Sequence, residues 1–327
     1  MIKNILLFIP LVIGILVLSG CAQVAEEKEP ITLVLNVWPG FSHAIIAKER
    51  GFFEEEGLDV NLIILKDYSE SINLFFEGKN DAIFEVYTDT IKQAADGLPL
   101  KVVYVADYSN GGDVIVSKPE IKTVADLKGK RVGIDGFNGF SHLFVNELLR
   151  RNGLQESDVK LLEVSGMDVA DALESDKIDA GHTWEPVKTE AIANGNRLLA
   201  SSEDTPGIIT DVLVFRKEFV EKRPEDVKKI VKSLFKALEY METDENAAFA
   251  IMSEGTGTTP GSLKEGLSGI KLVDFEGNKI AFSKSEETTS LYKSGEVISA
   301  FFVEKNIIEK PIDLETLIAP GFIEDLR

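Results

Sequence analysis

Residues 131–153 read RVGIDGFNGFSHLFVNELLRRNG, and this stretch decides the fold. Arg131–Ile134 is a short β-prone run that ends in a glycine-rich loop. The loop feeds a helix over Ser141–Asn152 with Leu143, Phe144, Leu148 and Leu149 on one side, and Gly153 stands where a helix stops. A strand turning into a covering helix is the repeating unit of an α/β layer. Outward from here the alternation continues. Strands are expected at Ile31–Val37, Val60–Leu65, Ala82–Val86, Lys101–Ala106, Val114–Ser117, Lys160–Val164, Ile178–Thr183 and Asp211–Phe215. Helices are expected at Ser42–Arg50, Ser69–Glu77, Thr88–Asp96, Val169–Ser175 and Glu185–Asn194. The reading is α/β, with helices covering mostly parallel sheets. Beyond Phe215 helices dominate: Glu225–Met241 carries Val227, Ile230, Val231, Leu234, Phe235 and Leu238 at helical spacing, and Asp244–Glu254, Ser262–Ser268 and Thr288–Lys305 follow. That tail has too few strands for a sheet of its own, so it should pack back on the first part of the chain.

The N-terminus speaks to compartment. Lys3 precedes an apolar run from Ile5 to Leu18, interrupted by Pro10 and Gly14, and then comes Leu18-Ser19-Gly20-Cys21. A basic start, a short apolar core and small residues form an export signal rather than a spanning helix. The Leu-Ser-Gly-Cys order resembles a bacterial lipobox, which implies that residues 1–20 are removed and Cys21 carries a lipid. Cys21 is the only cysteine, so the mature domain holds no disulfide. Ala22–Pro30 is charged and without apolar periodicity, a tether. The whole chain carries a formal charge of −20, which argues against nucleic acid as a partner.

Several segments together resemble the periplasmic-binding proteins that serve nitrate, sulfonate, taurine and thiamine-precursor (pyrimidine) ABC importers. Trp38-Pro39-Gly40 follows the first strand, and Gly51-Phe52-Phe53 with Gly57-Leu58-Asp59-Val60 resembles the family's opening. Gly97-Leu98-Pro99-Leu100-Lys101-Val102-Val103, Asp126-Leu127-Lys128-Gly129-Lys130-Arg131-Val132-Gly133, Lys177-Ile178-Asp179-Ala180 and Thr183-Trp184-Glu185-Pro186 follow in family order. Asp204-Thr205-Pro206-Gly207 and Asp211-Val212-Leu213-Val214 complete the set. The resemblance implies a two-lobed type II periplasmic-binding-protein fold, with two β-sheets flanked by helices and two crossover strands. Lobe 1 is expected to hold residues 31–112 and 212–327 and lobe 2 residues 113–211, with crossings near Gly112–Ser117 and Ile208–Val214. It further implies a monomeric solute-binding lipoprotein on the outer face of the cell membrane. Its expected partners are a small molecule and the permease and ATPase of an ABC importer.

Ligands of open α/β sheets sit beyond the carboxyl ends of strands. That rule selects Trp38, Phe41, Ser42 and His43 in one loop and Phe137, Ser141 and His142 in its counterpart. Free amides at these helix starts could cradle an anion, and the aromatic rings could stack on a flat or cationic group. Ser141 could equally be an N-cap. Glu85, Asp89, Trp184, Glu185 and Asp211 occupy similar positions, and four carboxylates beside two tryptophans suit an amine or guanidinium. No Lys or Arg falls in these cleft segments, so a zwitterion, an amine or a pyrimidine is favoured over a bare oxyanion. His43, His142 and His182 lack metal-ligand spacing, and neither metal nor other cofactor is expected. The glycines at 133, 136 and 139 do not make a dinucleotide loop, and no nucleophile elbow or phosphate-binding loop occurs. The competing class is an exported enzyme or sensor of the same fold, related to a fungal pyrimidine-precursor synthase. The absence of that synthase's cysteine-rich iron motif argues against catalysis.

Overall fold

The structure is a computed structural model that describes residues 29–326; the leader, Cys21 and most of the tether fall outside them. Eleven strands form: β1 (Ile31–Asn36), β2 (Val60–Leu65), β3 (Ala82–Val86), β4 (Leu100–Ser109), β5 (Val114–Ser117), β6 (Arg131–Ile134), β7 (Lys160–Glu163), β8 (Ala180–Thr183), β9 (Arg197–Ser201), β10 (Thr210–Arg216) and β11 (Ile270–Leu272). They make two sheets, ordered β11-β4-β10-β3-β1-β2 and β7-β6-β8-β5-β9. Helices flank both, so the chain is α/β as expected. The apolar runs of β1 and β3 are nearly buried throughout, as strands covered on both faces must be.

The sheets are mixed rather than mostly parallel. β1 runs parallel to β2 and β3, but β10 is antiparallel to both β3 and β4. Likewise β6 is parallel to β7 and β8, while β5 is antiparallel to β8 and β9. The reason lies in connectivity. The chain passes from one sheet to the other between β4 and β5 and returns between β9 and β10. A strand that arrives from the other sheet inserts against the direction of the strands already there.

The deciding stretch folds as read. β6 leads into a helix at Phe140–Arg151 that buries Leu143, Phe144, Leu148 and Leu149, and Gly153 takes a positive φ of 74° beyond its end. In the tail, β11 pairs with β4 at the edge of the first sheet, and the helix Pro224–Thr243 packs on the helix His43–Glu49. Two strands escaped the pattern. β9, RLLAS, has no β-branched or aromatic residue and starts exposed, and β11 is only three residues long.

Candidate functional site

The carboxyl ends of five strands and the two crossings meet in one cavity between the sheets. Asn36 ends β1, Val86 ends β3, and Trp38, Phe41 and Tyr68 come from the segments after β1 and β2. The second sheet contributes Phe140 and Trp184, and the crossings contribute Asp113, Ile209 and Asp211. The cavity and its open mouth together enclose about 430 Å³ of space between the side chains. Five aromatic side chains with no Lys or Arg among the lining residues give it flat, electron-rich walls.

Packing fixes the two tryptophans. Trp38 begins a turn of 3-10 helix at Pro39–Phe41, and its indole N–H donates to Asp107 Oδ1 at 3.4 Å. Gly40 is required there: a Cβ would fall 2.0 Å from Asp107 Oδ2 and 2.9 Å from the Trp38 indole nitrogen. Trp184 lies over Gly166, where a Cβ would meet its ring at 2.5 Å. Phe140 bridges the sheets, 6.1 Å from Tyr68 in an edge-on contact and 6.1 Å from Trp184.

Acid groups underlie the aromatic walls. Asp211 and Asp107 are directly opposed across β10 and β4, and both are buried. Burial raises both carboxyls: Asp107 to about 7, against the lowering effect of its hydrogen bonds with Asp211 and Trp38, and Asp211 well above the usual carboxylate range, with the charge of Asp107 adding to burial. Asp113 is held by His182 Nε2 at 2.9 Å, and His182 Nδ1 lies 2.8 Å from Ser141 Oγ. Ser141 Oγ in turn accepts the Asp135 amide at 2.8 Å. One assignment satisfies the chain: the serine hydroxyl donates to Nδ1 and Nε2–H donates to Asp113. Although these are the residue types of a hydrolase triad, the serine is fully buried and Asp113 is the member that faces the cavity. The relay therefore orients a carboxylate.

Of the residues selected from sequence, Trp38, Phe41, Trp184 and Asp211 line the cavity and the others do not. His43 is buried behind the wall. Its Nδ1–H donates to Gly40 O at 2.9 Å and its Nε2 accepts the Tyr104 hydroxyl at 3.1 Å, while burial lowers it to about 4, so it stays neutral. Ser42 donates to Trp38 O. Glu85 points to the other side of β3, where Thr90 and Gln93 donate to it. Asp89 stands one step back, accepting the Tyr68 hydroxyl at 2.6 Å. Phe137 is 48% exposed and packs edge-on against His142. His142 faces Phe301 and Glu156, away from the cavity. Glu185 pairs with Lys188 at 3.2 Å.

Several amides of the two loops are engaged within the loops themselves. Phe41 and Ser42 donate their amides to Trp38 O and Pro39 O, and Asp135, Gly136 and Asn138 donate theirs to Ser141 Oγ, Ile134 O and His142 Nδ1. Ser141 is not the N-cap, a position held by Gly139.

Sequence reasoning missed Asn36, Tyr68, Val86, Asp113, Phe140 and Ile209. The strand-end rule that selected Trp38 applies equally to Asn36 and Tyr68, and Phe140 lies inside the quoted loop. Asp107 gave no signal, because only the register of β10 on β4 brings it beside Asp211.

Comparison with known proteins agrees with the fold. A protein of Haemophilus influenzae named for thiamine biosynthesis is 30% identical over 179 residues, an alignment spanning 54% of this chain and 56% of that one. The chain thus matches only about half of that relative's length. A 4-amino-5-hydroxymethyl-2-methylpyrimidine phosphate synthase of Saccharomyces cerevisiae is 28% identical over 236 residues, 67% of this chain and 68% of that one. The ligand-binding component of an ABC-type import system from Staphylococcus aureus, solved with zinc bound, superposes with a TM-score of 0.73. That alignment covers 92% of this chain and 99% of the other at 15% identity, so it reports the periplasmic-binding-protein fold alone. The profile of the NMT1/THI5-like family matches residues 38–248, from the cavity's first tryptophan through both crossings, and the chain belongs to that family.

Proposed function

We propose that the chain is the extracytoplasmic solute-binding component of an ABC importer and that its solute is a small flat heterocycle bearing an amino group, an aminopyrimidine. One observation carries the reading: a cavity at the strand ends between two sheets, walled by Trp38, Tyr68, Phe140 and Trp184, presents Asp113 and Asp211 and no cation. Stacking on the rings holds a flat ligand, and the carboxyl groups accept from its amino group. A sulfonate or nitrate would have to sit beside Asp113 and Asp211 with no Lys or Arg among the lining residues, which disfavours the anionic solutes of the wider family. Binding rather than catalysis is supported by the buried Ser141, whose bonds are spent on orienting Asp113, and by the lack of any cysteine after Cys21.

In this reading residues 31–112 with 212–327 and residues 113–211 act as the two closing bodies. A permease and an ATPase are the partners, the protein acts as a monomer, and the lipid on Cys21 tethers it to the membrane. Among the described residues no helix is long and apolar enough to cross a membrane. The test is calorimetric titration of the full chain with 4-amino-5-hydroxymethyl-2-methylpyrimidine, taurine and nitrate. Micromolar or tighter binding of the pyrimidine, with the anions at least a hundredfold weaker, is expected; the reverse order overturns the reading. Pyrimidine that is chemically altered after incubation would instead support the enzyme class.

A further inference from the structure

We propose that the Asp107–Asp211 carboxyl pair is a proton-sharing dyad that captures a ligand by its ring nitrogen, selecting an amidine edge — a basic ring nitrogen beside an amino group — over any isostere without that nitrogen. The inference rests on the reading of the cavity as the solute site and concerns how that site discriminates.

Geometry comes first. Asp107 on β4 and Asp211 on β10 are Cα partners across an antiparallel ladder, so their side chains leave the same face of the sheet side by side. Both are almost fully buried, and Asp211 lines the cavity. Asp107 Oδ1 takes the Trp38 indole N–H, whereas Asp107 Oδ2 and Asp211 Oδ1 are buried and meet no nitrogen or hydroxyl donor. Two adjacent buried carboxylates without a cation cannot both ionise, so a proton must lie between them. The groups facing the pair add only negative charge or none: Asp113 from the first crossing, Asp89 from the helix after β3, and the Tyr104 phenol on β4. Both carboxyls accordingly stand above the ordinary range.

A second observation points into the cavity. Asn36 lines it too, and its amide oxygen is buried with no donor. The cavity thus offers an O–H donor, a neighbouring carboxylate and a vacant amide acceptor beside aromatic faces. An aminopyrimidine complements all of these. Its ring nitrogen takes the dyad's proton, and its amino group donates to the acceptors. One O–H bond breaks and one N–H bond forms, leaving an amidinium cation against two carboxylates with no change in total charge. Aniline has the same ring shape and an amino group but no ring nitrogen to receive the proton.

The experiment titrates the full chain at pH 7.5 with ring-15N-labelled 4-aminopyrimidine and with aniline, in wild type and in Asp211→Asn and Asp107→Asn. At least tenfold preference for the pyrimidine is expected, with a protonated-type 15N shift for the bound ring nitrogen and loss of neutral-carboxyl infrared absorbance on binding. In folded Asp211→Asn the preference should fall below threefold. Pyrimidine binding with an unprotonated ring nitrogen, or unchanged preference in folded Asp211→Asn, overturns this inference and leaves the aminopyrimidine reading standing. No binding of either amine to the folded chain overturns both. Should both variants fail to fold, the 15N shift and the infrared change in wild type decide alone.

Discussion

Trp184 and Gly166 are one unit at the residue scale, since the ring occupies the space a Cβ would take. Removing the ring by Trp184→Ala should weaken aminopyrimidine binding by at least several-fold, because an aromatic face near a positive or polarised group is worth about 0.5–2 kcal/mol. Gly166→Ala should have a similar effect without removing the ring, since the indole must move away from the cavity; isothermal titration of both variants checks this. Glu85 supports a separate prediction about pH. Burial raises it to about 8, so it holds a proton when folded that the unfolded chain releases near 4.5. The stability this provides is complete below about pH 4.5 and is lost as pH rises through 8. Gln93 Oε1, buried without a donor, would accept that proton's hydrogen bond once the amide turns over. Glu85→Gln keeps a donor at the site at every pH. Urea denaturation should therefore find the variant close to wild type at pH 5 and more stable by on the order of 3–5 kcal/mol at pH 9.

Elements were legible where the chain repeats a pattern long enough to read. The helix Pro224–Thr243 buries Val227, Ile230, Val231, Leu234 and Leu238 in the spacing its sequence displays, and Ser233 donates to Phe52 O where it meets the helix Phe52–Glu55. Truncating its fully buried Leu234 to alanine should cost about 2–5 kcal/mol, measured by denaturant titration. Ligand affinity of the folded fraction should not change, because no residue of this helix lines the cavity. The site was less legible than the fold for a physical reason. Position along a strand tells which residues reach the carboxyl end, and this found Trp38 and Trp184. It does not tell which way a side chain turns once there. His43 and His142 occupy the same kind of loop as the tryptophans, yet each is drawn off by bonds to its own neighbourhood, Gly40 O and Tyr104 for one, the Asn138 amide and Glu156 for the other. Long-range register was equally invisible: nothing local to Asp107 announces Asp211.

For the molecule as a whole, a small set of contacts joins the two sheets' halves away from the cavity, among them Leu143 packed into the first half's core. Lys305 at the end of the helix Leu291–Glu304 pairs with Glu156, which also accepts from His142, and Phe301 packs edge-on to His142. On another face Thr189 donates to Glu265 at 3.2 Å. The exposed Thr189–Glu265 pair contributes about 0–1 kcal/mol, and the part-buried Lys305–Glu156 pair adds a modest amount to it. They are too weak to hold the cleft shut, so ligand buried between Trp38 and Trp184 must supply the remainder, and opening should occur by bending at the two crossings. Solution scattering should accordingly give a smaller radius of gyration with saturating aminopyrimidine than without. Glu156→Gln with Thr189→Ala should shift the ligand-free ensemble further open and weaken binding by about fivefold, the equivalent of about 1 kcal/mol. The liganded particle should remain as compact as wild type, since its closure is set by the cavity. Coincident scattering curves with and without ligand, in both wild type and the double variant, would exclude clamp closure. A double variant that binds as tightly as wild type would instead show that these contacts do not bias the hinge.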